Sequence, residues 1–145
     1  MRNQLTLFEV PSAKTLVNLY QDRSGSYGND QWLVWGNLFV LQKKTLALFD
    51  QLQQAREKHQ YLGELHFTDL PRTWAEPGGK KPKTTYDWLE VCRINFLSDN
   101  FYFNVLAVDT HSPQFNHDAF SKPFHAYNRF SRMAITSGIV WFYKA

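Results

Sequence analysis

An apolar run from Leu16 to Asp22, closed by Arg23-Ser24-Gly25-Ser26-Tyr27-Gly28-Asn29-Asp30, predicts a first strand and a turn. A second apolar run, Trp32 to Leu41, follows, and two such runs around one turn predict an antiparallel hairpin. Gly36 within it marks a bulge or a close backbone approach. Thr45 is placed to cap a helix from Leu46 to about His59, in which Leu48, Phe49, Leu52 and Ala55 recur at helical spacing and Gln51, Gln53, Gln54 and Lys58 face water. Leu62 to Phe67 reads as a short extended piece, and Pro71 to Lys83, with its prolines and Gly78-Gly79, as the main loop. A second helix is expected from Thr85 to Leu97 and the strongest strand from Phe101 to Asp109. Pro123, tolerated in a first turn, opens a third helix from Phe124 to Thr136, which Ser137-Gly138 stops. Ile139 to Tyr143 then begins a last apolar run. This order predicts one α/β domain, a mixed sheet flanked by helices, with residues 1–15 as an N-terminal extension.

Composition narrows the class. The chain has 145 residues, enough for a substantial core, and its 43% hydrophobic and 17% aromatic content argues for a globular protein. No stretch approaches the roughly 20 apolar residues of a membrane span, and the N-terminus lacks the apolar segment of a signal peptide, so a cytoplasmic protein is expected. Cys92 is the single cysteine, which excludes an internal disulfide and a thiolate metal site. A net charge of +3 permits a nucleic-acid partner without requiring one.

Three acids, Asp22, Glu64 and Asp109, lie at or near the ends of strand-like stretches. Strand ends are where α/β folds present side chains to ligands, and converging carboxylates hold Mg²⁺ or Mn²⁺. If the strands are neighbours, the acids form one site; if not, they are ordinary surface acids, Asp22 then being a turn residue bonded to the Ser24 amide. His66 follows Glu64 by two residues, so on a strand both point to one face, where the imidazole orients a phosphate, moves a proton or is half-buried on a backbone partner. Ser24 either bonds a phosphate or serves the turn. Lys80, Lys81 and Lys83, expected in an exposed loop beside Trp74 and Tyr86, suit a polynucleotide backbone or simply solvate the loop. Arg129 and Arg132, three apart on a helix, share a face. His111, His117, His125 and Asp118 match no compact zinc spacing. The Gly-x-Ser-x-Gly elbow and a phosphate-binding glycine loop are both missing.

With these elements placed, the chain resembles the ribonuclease-H-like proteins grouped as domain of unknown function 3800. The likeness rests on Asp22-Arg23-Ser24-Gly25, the second strand Trp32 to Val40, Glu64-Leu65-His66-Phe67, Ala107-Val108-Asp109 and Ala126-Tyr127-Asn128, in order over residues 16 to 143. It implies a ribonuclease-H-like fold and metal-dependent phosphodiester hydrolysis, in a family often associated with mobile elements and phage. Asp22 would bridge two Mg²⁺ or Mn²⁺ ions about 3.5–4 Å apart, and Glu64 and Asp109 would each complete one shell. Two departures stand out. Arg23 replaces the family's usual Glu, and the sequence ends at Lys144-Ala145 before the further acid to which the family's last strand leads. The expectation is therefore a nuclease or nuclease-derived domain with an incomplete carboxylate set; the alternative is a non-catalytic nucleic-acid or protein interaction domain. Self-association is expected through the C-terminal apolar run, read as an unpaired strand.

Overall fold

A computed structural model describes residues 15–65 and 78–143. Over these the chain is a mixed α/β protein with a three-stranded antiparallel sheet and three long helices. Strands β1 (Val17–Ser24) and β2 (Trp32–Leu41) form the expected hairpin, and β3 (Phe101–Asp109) pairs with the other edge of β2, giving the order β1-β2-β3. Helices α1 (Thr45–His59) and α2 (Lys80–Leu97) lie between β2 and β3 in sequence, and α3 (Pro123–Tyr143) follows β3.

The hairpin turn depends on Gly25, whose φ of +92° lies in the left-handed region and where a Cβ would meet the Trp32 carbonyl oxygen at 2.2 Å. Asp30 closes the turn by accepting a hydrogen bond from the Ser26 amide at 2.7 Å.

Strand alternation sets two faces. On one, Leu33 and Trp35 pack with Ala126, Phe130 and Ala134 of α3, and Leu106, Val108 and Phe120 close the cluster. On the other, α1 and α2 cover one end of the sheet, where Val40 and Phe101 are buried with Leu48, Leu52 and Val91. The two helices are tied to each other by the Trp88 indole, which donates to the Leu52 carbonyl at 2.9 Å, and by Asn95, which donates to Gln51 at 2.7 Å.

Three expectations are corrected. Leu62–Leu65 forms no strand, and residues 66 and 67 lie outside the described residues, so the sheet is antiparallel rather than mixed among the described residues. Helix α2 begins at Lys80 instead of Thr85, because Pro82 falls in the first turn, where its missing N–H is not needed. Helix α3 runs on through Ser137-Gly138 to Tyr143, so Ile139 to Tyr143 is helical and offers no unpaired strand for self-association. Gly138 there is a packing residue: a Cβ would stand 2.3 Å from Phe39 Cζ and 3.1 Å from Asn104 Nδ2. Helix and sheet approach closely because nothing larger fits.

Candidate functional site

The sheet face not covered by α3 carries Asn18, Tyr20, Asp22 and Ser24 of β1, Trp32, Val34, Gly36 and Leu38 of β2, and Phe103, Val105, Ala107 and Asp109 of β3. Helices α1 and α2 reach only its Val40–Phe101 end. Phe49 of α1 meets the Tyr20 ring edge-on and Phe96 of α2 lies beside Phe103. Beyond them the face is open, and Tyr20, Trp32 and Phe103 remain 42%, 50% and 54% exposed. Tyr20, Asp22, Gly36, Phe103 and Val105 line a shallow concavity there.

Asp22 stands near the middle of this face, opposite Gly36, which in turn pairs with Val105. It is exposed, and its Oδ1 accepts from the adjacent Arg23 amide at 2.8 Å, so it forms no turn with Ser24. Ser24 is the exposed last residue of β1, paired with Val34. Asp109 is on the same face but opposite Trp32, four residues along β2 from Gly36 and on the far strand. At about 3.4 Å per residue and about 4.8 Å between strands, the two backbones are about 17 Å apart. Asp109 is also committed to its own turn, accepting from the His111 amide at 2.9 Å and from Gln31 at 3.3 Å. Two short side chains do not span that gap to share one ion, or two ions about 4 Å apart. The expectation that neighbouring strand ends would bring the acids together fails on register: Asp22 ends no strand, and β1 and β3 flank β2 instead of each other.

Glu64 is exposed in the segment after α1, which is fixed by the Arg56 guanidinium donating to the Gly63 carbonyl at 2.7 Å and by the Tyr61 hydroxyl donating to the Glu64 carbonyl at 2.8 Å. It is not on a strand, so the argument that it shares a face with His66 lapses; His66 itself lies outside the described residues, as does Trp74. Among the described residues no three His, Cys, Asp or Glu side chains come together to hold a metal ion. Asp22, Glu64 and Asp109 are thus not gathered into one such group. Lys80, Lys81 and Lys83 occupy the first turn of α2 instead of a loop, and Lys80 donates to Gln60 at 3.2 Å.

Behind Asp22 lies an arrangement that sequence reasoning passed over. Gln21, Asn37 and Asn104 are in register across the three strands and face α3. Gln21 donates to Asn37 at 2.6 Å, Asn37 to Asn104 at 2.9 Å, and Asn104 to the Ala134 carbonyl at 2.9 Å. The Ser131 hydroxyl donates to Gln21 Oε1. The signal was present as polar amides at positions where alternation demands apolar ones. Next along the same side of β1, the Arg23 guanidinium stacks 3.9 Å over the Tyr127 ring, whose hydroxyl accepts from the Tyr27 amide at 2.8 Å. This ties the Asp-x-Ser-Gly turn to α3 and gives Arg23 an aromatic partner.

Outside this site, burial pushes the Cys92 thiol up, away from the reactive thiolate form. No helix among the described residues is long and apolar enough to cross a membrane. Searches of family models, curated proteins and solved structures found no match to this chain.

Proposed function

We propose that this chain is a nuclease-derived, nucleic-acid-binding domain of ribonuclease-H-like type, which takes a single-stranded polynucleotide on the open face of its sheet. The observation that carries the reading is the set of half-exposed rings of Tyr20, Trp32 and Phe103 on one side of three paired strands. Gly36 lies among them, and nothing stands within 4 Å of where its Cβ would be. Every base has a π face, so stacking on such rings is tolerant of sequence and contributes about 1–3 kcal/mol per base. The ordered likeness from Asp22-Arg23-Ser24-Gly25 to Ala126-Tyr127-Asn128 supports the lineage.

Fluorescence anisotropy with labelled 15-nucleotide DNA and RNA tests it. Phe103→Ser and Tyr20→Ser are each expected to weaken binding about tenfold, the equivalent of about 1.4 kcal/mol. Absence of binding at low salt, or binding indifferent to both changes, would overturn the reading.

A second reading, a metal-dependent phosphodiester hydrolase, is favoured by Asp22 alone. It is an exposed acid on the same face, with no cation paired to it among the described residues. Mn²⁺-dependent cleavage that disappears in Asp22→Asn would establish hydrolysis. Intact substrate after prolonged incubation with Mg²⁺ or Mn²⁺ would leave the binding domain as the function.

A further inference from the structure

The open sheet face presents a difficulty for a polynucleotide that stacking does not solve. Its strand positions carry Asp22 and Asp109 and no Lys or Arg, so nothing there neutralises phosphate. The opposite layer has the reverse balance. The strand residues facing α3 are Val17, Leu19, Gln21 and Arg23 of β1, Leu33, Trp35, Asn37 and Phe39 of β2, and Tyr102, Asn104, Leu106 and Val108 of β3, without one acid among them. Helix α3 has no Asp or Glu in its 21 residues. Along its solvent side Asn128, Arg129, Arg132, Thr136 and Ser137 border an open concavity, with Met133 between them. Arg129 and Arg132 are exposed, and no described carboxylate pairs with either. Arg23 of β1, an edge strand among the described residues, adds a third cation, stacked on Tyr127 next to Asn128.

We infer that the outer side of α3, with Arg129 and Arg132 at its centre, is the surface that holds the phosphate backbone of the bound polynucleotide. The inference rests on the nucleic-acid reading above and adds the part that reading lacks. Two guanidiniums one helical turn apart present planar donor forks suited to phosphate oxygens, and the Asn128 amide and the Thr136 and Ser137 hydroxyls supply neutral donors along the same stripe. Because β1 is an edge strand among the described residues, a chain stacked on Tyr20 passes over it to Arg23 and on to α3 without crossing another described strand. The surface is distinct from the first turn of α2, where Lys80 is already engaged by Gln60.

The test uses the full chain and labelled 15-nucleotide DNA and RNA in EDTA, titrated across a KCl series. Arg129→Gln combined with Arg132→Gln is expected to weaken binding about 25- to 100-fold at 0.1 M salt and to lower the log–log salt slope by about 1.5, the loss of two phosphate contacts. Arg129→Lys with Arg132→Lys keeps the slope. Lys80→Gln with Lys83→Gln retains wild-type affinity. Because both arginines are exposed on a helix, the melting temperature is expected to be unchanged, and if the double variant melts early the two single variants carry the same test at half the slope change. Wild-type affinity and slope in the Arg variants, or a loss that follows Lys80 and Lys83 instead, would overturn the inference. Should Phe103→Ser weaken binding while the Arg variants do not, the stacking reading survives and this one falls. A wild-type chain that binds neither polymer removes both.

Discussion

Gly36 and Gly138 face each other's problem from opposite sides. A methyl group at Gly36 would enter open space, whereas at Gly138 it would overlap Phe39, a ring 2% exposed and hemmed in by Phe142 and Tyr143. Alanine gains up to about 1 kcal/mol of helix propensity over glycine, but overpacking a closed core costs about 1–3 kcal/mol, so the clash wins. Gly138→Ala is therefore expected to lower stability by about 1–2 kcal/mol in urea unfolding, and Gly36→Ala to leave it nearly unchanged. The amide row behind Asp22 gives a second prediction. Asn37 is buried and both accepts from Gln21 and donates to Asn104. Asn37→Leu keeps the branched shape but strands a donor on one side and an acceptor on the other, a loss of about 2–4 kcal/mol. A stability equal to wild type would mean that the neighbouring amides re-pair without it.

At the level of elements, the α1–α2 pair is held by packing on one side and by a charged clamp on the other. Asp87 of α2 accepts from Lys58 at 2.7 Å and from His59 at 2.9 Å. The Lys58 hydrogen bond, against the opposing effect of desolvation and with His59 adding to it, holds the Asp87 carboxyl below its ordinary 3.8. A carboxyl depressed in the folded state binds its proton more readily once unfolded. Its contribution is accordingly complete above about pH 4 and is lost as pH falls through the folded value. In acid-unfolding curves Asp87→Asn is expected to be less stable than wild type at pH 6, with the difference closing below pH 4. A constant difference down to pH 2 would show that the clamp acts through shape alone. The element boundaries teach a related lesson. Pro82 and Gly138 both read as punctuation, yet one sits in a first turn and the other in a helix interior, because tertiary packing decides whether a breaker breaks.

The whole molecule separates its chemistry by layer. Exposed rings and two acids occupy the open face of the sheet, and arginines that no described carboxylate pairs occupy the far side of α3. Surface aromatics of this kind contribute little to folding because they stay largely in water. Phe103→Ser, at a site 54% exposed, is thus expected to change stability by less than about 1 kcal/mol while weakening polynucleotide binding about tenfold. Equal losses in both would assign the ring to the core instead.

Local pattern was enough for β1, β2, β3 and the hairpin turn, because alternation, β-branched and aromatic content, and a glycine with positive φ act within a few residues of one another. The helical stretch of α1 was legible for the same reason, from the spacing of Leu48, Leu52 and Ala55. That β3 pairs with β2 was not legible, and the carboxylate site depended on it. Asp22 and Asp109 share a face by parity, a local property, but the distance between them follows from pairing register, which is fixed only when β3 docks on β2 across the long intervening segment that carries α1 and α2. The amide row and the Arg23–Tyr127 stack are likewise contacts between residues far apart in the chain. Sequence determined the three strands, the approximate helices and the residue chemistry they carry; tertiary structure decided where helices end and which distant side chains meet, because register and docking arise from long-range burial that no local pattern encodes.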